Sequence, residues 1–418
     1  MKKSFLLLLL VLLTIAAKAS SILINMDEDQ KNHLKAYGIA YWSIKQHAEV
    51  SWLLNYKGGS FLIQYHKAVE DECKARGVSY SILADGKVAA ILNEISDPEV
   101  NMEIVKLEKA PKIAVYSPKS KLPWDDAVTL VLTYAEIPYD IIYDDDVLKD
   151  KLSGYDWLHL HHEDFTGQYG RFWSTFKNAS WYQEDVKNQE ATAKRNGFTK
   201  VSAMKLAVVK KMREFCAGGG FLFAMCSATD TFDIALSADG VDICASMFDG
   251  DAEDPHAQEK LNFSNTFAFK DFRLTLNPGS YGFSDIDVTQ SRNLTQQNDY
   301  FTLFEFSAKS DLVPTMLTQN HEQVIKGFMG QTTAFRKSLL KSNITVLGEN
   351  KGAGEVRYLH GDIGKGQFTF YGGHDPEDYQ HIVGDPPTDL NLHPNSPGYR
   401  LILNNVLFPA AKKKPQKT

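Results

Sequence analysis

Three consecutive glycines, Gly218-Gly219-Gly220, run directly into an apolar pentapeptide, Phe221 to Met225, which stops at Cys226 and gives way to a helix-like segment from about Thr229. A glycine turn, a short apolar run and an abrupt change of pattern describe a strand that ends in a sharp turn into a helix. The side chain at such a turn is pushed out above the sheet, beside backbone N–H groups and a helix N-terminus. Small residues are needed two positions to either side, because the backbone passes close there, and Ala224 and Ala228 meet that need. A second stretch completes the arrangement. Gln367 to Tyr371 reads as another strand, ended by Gly372-Gly373 and then His374, which delivers an imidazole to the same rim.

The chain around these stretches divides in two. About 400 residues remain after a leader, more than one typical domain, and an apolar fraction of 43% is ample for a packed core. Residues 20–110 read as a small α+β domain. Strands are predicted at Tyr37 to Ser43, Val50 to Tyr56 and Ser60 to Tyr65, with Lys57-Gly58-Gly59 as a hairpin turn and a helix at about Lys67 to Arg76. Its aromatics, Tyr37, Tyr41, Trp42, Trp52, Tyr56 and Phe61, are expected to form its core, since a small domain must bury what apolar area it has. From residue 111 to 410 strands and helices alternate: strands at Lys112 to Tyr116, Tyr139 to Tyr143 and Trp157 to Leu160, helices at Trp124 to Ala135 and Lys200 to Ala217. That alternation predicts a doubly wound, mostly parallel α/β sheet, with ligands at the carboxyl ends of its strands, where Leu160, Cys226 and His374 should fall together. Residues 411–418 are a short basic tail, read as a solvated end.

On these residues the chain resembles the class I glutamine amidotransferase-like fold, in which a Cys on an elbow pairs with a His in a late loop followed closely by a Glu. The resemblance covers roughly residues 113 to 409. It implies Cys226 as nucleophile, His374 as base and Glu377 or Asp375 as the acid that orients the ring, with the Ser227 N–H helping to hold an oxyanion. Three positions differ from the family pattern: Ala224 and Ala228 stand where glycines flank the family's Cys, and Pro376 stands where its acid follows the His. Over its whole length the chain resembles secreted bacterial envelope proteins often labelled asparagine synthetase B. It carries no Ser-Gly-Gly-x-Asp-Ser loop and no N-terminal-Cys glutaminase, so that activity is not expected.

Lys2 and Lys3 precede an apolar run from Phe5 to Ala17, and Ala17-Lys18-Ala19 has the small-x-small pattern of a cleavage site. Residues 1–19 therefore read as a secretory signal peptide, which places the protein in the periplasm or outside the cell with no membrane segment after cleavage. Removing its three lysines leaves 42 basic against 52 acidic residues, a net charge of −10. Nucleic acid is not an expected partner for so acidic a chain.

Trp157 to Asp164 is the densest cluster of metal-ligand types. On a strand His159 and His161 share a face at the period-2 spacing that lets two imidazoles meet one ion, with His162, Glu163 or His374 as a third ligand. Zinc is the metal such a set would hold; the alternative is one buried, backbone-bonded His with the others solvated. No other cofactor is expected, because the chain has neither a P-loop nor G-x-G-x-x-G. The acidic stretch Asp249, Asp251, Glu253 and Asp254 lacks the spacing of a calcium loop and reads as solvated. Cys73, Cys216, Cys226 and Cys244 allow three full disulfide pairings, and Cys226 reads equally as a reactive thiol or a small buried residue. Residues 164–198 form a polar and aromatic insertion that either lids the site or offers a surface to another protein.

Three functions stay open: an exported protein that binds a partner protein or glycan without catalysis, a Cys-dependent amidase or hydrolase, and a metal-dependent hydrolase. The departures at Ala224, Ala228 and Pro376 favour the first.

Overall fold

The computed structural model describes residues 19–118, 122–380 and 382–411. Residues 1–18 of the expected leader and all but residue 411 of the expected basic tail lie outside the described residues. Two sheets organise the chain. The smaller holds β1 (Ala19–Ile24), β2 (Val50–Leu54), β3 (Ser60–Gln64), β4 (Ser81–Ala84) and β5 (Glu103–Leu107), in the order β4-β1-β3-β2-β5, antiparallel throughout. Lys57-Gly58-Gly59 makes the turn between β2 and β3, with Gly58 and Gly59 both at positive φ.

Helix α1 (His33–Lys45) stands where a strand over Tyr37 to Ser43 was predicted. The β-branched and aromatic side chains there serve burial on every side, so the helix shows no clear polar face. Its start is set by Asn32, whose side chain accepts the N–H of Lys35 at 2.9 Å. Tyr37 packs edge-on against Trp52 and Phe61 of the small sheet. On the other side, a Cβ at Gly38 would sit 1.8 Å from the carbonyl oxygen of Ala135, so only glycine permits that approach.

The larger sheet comprises β6 (Ile113–Tyr116), β7 (Asp140–Ile142), β8 (Trp157–Leu160), β9 (Phe221–Met225), β10 (Tyr300–Leu303), β11 (Val324–Lys326), β12 (Phe335–Arg336), β13 (Thr345–Asn350), β14 (Glu355–Ile363) and β15 (Gly366–Tyr371). Their order is β11-β10-β13-β14-β15-β9-β8-β6-β7, with β12 on β14. The expected doubly wound, mostly parallel sheet is overturned by this topology. Only β7·β6, β6·β8, β8·β9 and β9·β15 are parallel, whereas β10·β11, β10·β13, β12·β14, β13·β14 and β14·β15 are antiparallel. The physical reason is loop length. The links from β13 to β14 and from β14 to β15 are tight turns carrying Gly354 and Gly364 at positive φ, too short for the crossover that parallel strands require.

The helices that matter for the site are α2 (Ala127–Tyr134), α3 (Ser180–Arg195), α4 (Val201–Gly218), α5 (Ser227–Ser237) and α6 (Pro397–Leu407). Helix α6 closes the core shared by the two sheets. Tyr37 Oη donates to Asn404 Oδ1 on α6, and the buried Arg400 guanidinium donates to the carbonyl of Met26 at 2.8 Å. No helix among the described residues is long and apolar enough to cross a membrane.

Candidate functional site

The parallel half of the large sheet sets the geometry. Leu160 lies opposite Ala224, and Tyr371 lies opposite Met225, so the segments that follow β8, β9 and β15 leave the sheet at one edge. Cys226, the residue between β9 and α5, has φ 50° and ψ −142°, a region that non-glycine residues rarely occupy. Backbone bonds hold the turn in place. The N–H of Cys226 donates to the carbonyl of Gly373 at 3.1 Å, and the N–H of Ala228 donates to that of His161 at 2.9 Å. The elbow is thereby tied to the loops that carry both candidate imidazoles.

Cys226 is 3% exposed, and burial pushes its thiol up to about 11, an effect that the backbone N–H groups of Thr332, Gln331 and Ser227 reduce. Burial therefore works against thiolate at this position rather than toward it. The Ser227 N–H thus faces sulfur, and its side chain is buried. The two candidate acids point elsewhere. Glu377 makes an ion pair with His393 Nδ1 at 3.1 Å, and Asp375 Oδ1 accepts the N–H of Glu377 at 2.9 Å. All four cysteines are free and buried.

His161, His162 and His374 converge: ligand atoms of the three lie within 4.8 Å of one another. Their ring centroids are 4.4 Å apart for His161–His374, 4.9 Å for His161–His162 and 5.6 Å for His162–His374. His159 stays outside this group. Fully buried between Trp157 and Phe223, it bonds the carbonyl of Phe223 through Nδ1 at 3.3 Å and Asp126 Oδ2 through Nε2 at 3.2 Å, and burial lowers its pKa. Glu163 is also buried rather than joined to the histidines, with its carboxyl 3.4 Å from the Tyr143 hydroxyl.

Three carboxylates of this region escaped the sequence reading. Asp126 caps α2, its Oδ1 accepting the N–H groups of Val128 and Thr129 at 2.8 and 2.9 Å, while its Oδ2 faces His159 and His161 Nδ1 at 3.2 and 3.3 Å. An Asp immediately before an apolar helix is a cap signal, and a cap at a strand's carboxyl edge is within reach of a site there. Asp230, on α5, accepts from Thr332 Oγ1 at 2.8 Å and is pushed up to about 8 by burial and by the nearby Asp287 carboxylate. Burial pushes Asp287 to about 6, although Thr289 and the Thr333 N–H stabilise its charge.

A pocket of about 330 Å³ opens over these groups. Cys226, His162 and His374 line it together with Trp124, Phe172 and Tyr281. The insertion supplies part of this wall. Asp164 organises its first turn by accepting the N–H groups of Thr166, Gln168 and Gly170 at 2.7, 2.9 and 3.0 Å. Phe172 and Trp181 then pack on Trp124 at ring separations of 5.3 and 5.2 Å, so these aromatics face inward. A larger cleft, about 510 Å³, opens at the amino ends of β8 and β9 beside Lys211 and Glu214, remote from the histidines. In the acidic stretch, Lys200 Nζ lies 3.1 Å from Asp249 and 2.5 Å from Asp251, so a lysine holds the position a cation would take.

No family model matches the chain, and no curated protein matches it. Among solved structures it is similar to the cytoplasmic protein STM3548 from Salmonella typhimurium, with 10% identity, a TM-score of 0.34, and 72% of this chain and all of that one covered. The cytoplasmic protein STM1381 from Salmonella typhimurium LT2 is similar at 14% identity and a TM-score of 0.35, with the same coverage. Gan42B, a GH42 beta-galactosidase, matches at 12% identity and a TM-score of 0.26, over 64% of this chain and 28% of that chain.

Proposed function

We propose that this is an exported protein that binds a small molecule in the pocket above Cys226, without using Cys226 as a nucleophile. The observation that carries this reading is the inward packing of Phe172 and Trp181 on Trp124, which makes the insertion a wall of the pocket rather than an outward docking surface. A volume of about 330 Å³, with apolar walls and a few convergent polar groups, suits a ligand of modest size. The thiol pushed up to about 11 and the engagement of Glu377 by His393 both argue against a Cys-His-acid relay. Export rests on the pattern of residues 1–19.

Saturation-transfer NMR with benzoate and indole-3-carboxylate tests the pocket, using the wild type and Gln290→Trp, which places an indole at the pocket wall. Transfer to the wild type that is lost in Gln290→Trp supports the reading. Equal transfer to both proteins, or none to either, overturns it. Export is read separately: an N-terminus at Ser20 on protein from the cell envelope supports it, and an intact Met1 terminus on protein from the cytosol overturns it.

A further inference from the structure

We propose that His161, His162 and His374 form a metal centre for a zinc-like divalent ion, with Asp126 holding His161 in position and one coordination position open to the pocket. Three imidazoles are brought from two loops to within 4.8 Å of one another at their ligand atoms, close to the about 3.3 Å that separates imidazole nitrogens on one tetrahedral zinc.

The neighbouring carboxylate gives the second, independent observation. Asp126 Oδ2 lies 3.3 Å from His161 Nδ1, which puts a carboxylate beside one nitrogen of the ring. Both ring nitrogens of His161, a residue 1% exposed, are buried and lack a hydrogen-bond partner among the described residues. A buried nitrogen left unpaired is costly, and an ion would satisfy it. A carboxylate behind a histidine is the arrangement by which proteins fix the tautomer and orientation of metal ligands. Asp126 is itself fixed by the two N–H groups at the start of α2, so the chain runs from helix cap to carboxylate to imidazole.

The donor set selects the metal. Three neutral nitrogens suit zinc, cobalt, nickel or copper, and suit magnesium and calcium poorly, since those take oxygen. A divalent ion on three neutral ligands keeps its charge, and His162 and His374 line the pocket, so the open position faces the ligand space. The ligand that follows is a small anion with an oxygen donor, a carboxylate or hydroxamate, carrying an apolar group for the wall of Trp124 and Phe172. This ligand class rests on the pocket reading above; the metal centre does not.

The test uses untagged mature protein, stripped with chelator and titrated with cobalt(II), whose d–d absorption reports tetrahedral nitrogen coordination. The expected result is one cobalt per chain, displaced by zinc. His374→Ala and His162→Gln should each abolish the band, and Asp126→Asn should weaken affinity about 10- to 100-fold. Far-UV circular dichroism checks that each variant folds, and the half-buried His162 gives a variant that does not depend on core packing. His256→Ala, at an exposed position, should leave the titration unchanged. Absence of a cobalt band in the wild type, or equal affinity in folded His162→Gln, overturns the metal centre. Acetohydroxamate should shift the cobalt spectrum, and an unshifted spectrum in cobalt-loaded protein overturns the ligand class while the metal centre stands. Loss of benzoate transfer on plugging the pocket is read without metal, so the two readings fail separately.

Discussion

Asp126 Oδ2 sits 3.2 Å from His159 Nε2 and 3.3 Å from His161 Nδ1, one carboxylate oxygen faced by a histidine inside β8 and by another just past its end. The period-2 spacing brings both rings to one carboxylate, and ligand atoms of Asp126, His159 and His161 lie within 4.8 Å of one another. His159 is consumed in the core, and His161 is turned toward the pocket loops. That edge is built by the segments following β8, β9 and β15 together, with a backbone turn at Cys226 in a conformation that non-glycine residues rarely adopt.

That conformation has a measurable cost. Because Cys226 occupies a conformation suited to glycine, Cys226→Gly is expected to be more stable than Cys226→Ala by about 1 kcal/mol, despite losing a side-chain atom. Urea unfolding of the two variants checks it. A Cys226→Ala protein that is the more stable of the two would mean the turn is unstrained.

Glu377 and His393 make a partly exposed pair, whose loss should cost at most about 1 kcal/mol. Glu377→Gln is therefore expected to leave benzoate and cobalt binding unchanged and the melting temperature within a few degrees. A large loss of binding would show that Glu377 serves His374 after all.

Asp230 predicts a pH dependence. Burial raises its folded pKa from 3.8 to about 8, so the stability contributed by its protonated form is full below about 4 and is lost as pH rises through about 8. Asp230→Asn removes that loss. It is expected to melt several degrees above the wild type at pH 8 and close to it at pH 4, measured by thermal unfolding. The same offset at both pH values would rule out titration as the cause.

His33 and His321 predict the opposite limb. Their rings stack at 4.1 Å; burial and the Arg400 charge lower His33 from 6.5 to about 3 and His321 to about 4. Depressed folded values mean that stability is present above 6.5 and is lost as pH falls toward about 3. His321→Gln should move the acid-unfolding midpoint to lower pH, followed by circular dichroism. An unmoved midpoint would place the acid sensitivity elsewhere.

How much of this the sequence disclosed depends on how local each signal is. The elbow was legible because glycines, an apolar run and a change of period lie within sixteen residues, Gly218 to Asp233. The Lys57-Gly58-Gly59 turn was legible for the same reason. Helix α1 was not, since a helix buried on all sides loses its amphipathic period and its Ile39 and Tyr41 then suggest a strand. The antiparallel half of the large sheet was missed although Gly354 and Gly364 mark its tight turns, because the strands those turns join, β13 and β14, were not read as strands. Within the site, the edge shared by Cys226 and His374 followed from strand ends. Asp126 escaped because its role depends on where α2 begins, three residues later than the reading from Trp124.

Helix α6 holds one more implication, for the order in which the protein is made. Tyr37 and Asn404 bond across 367 positions of sequence, and Arg400 reaches the carbonyl of Met26 across 374. The first sheet cannot finish its core until the last helix has left the ribosome. Residues of the small sheet therefore stay incompletely packed until a segment more than 360 positions away is present. Contacts so distant in sequence form late in folding, so a chain cut before Pro397 is expected to leave the Tyr37 hydroxyl and the Met26 carbonyl without these partners.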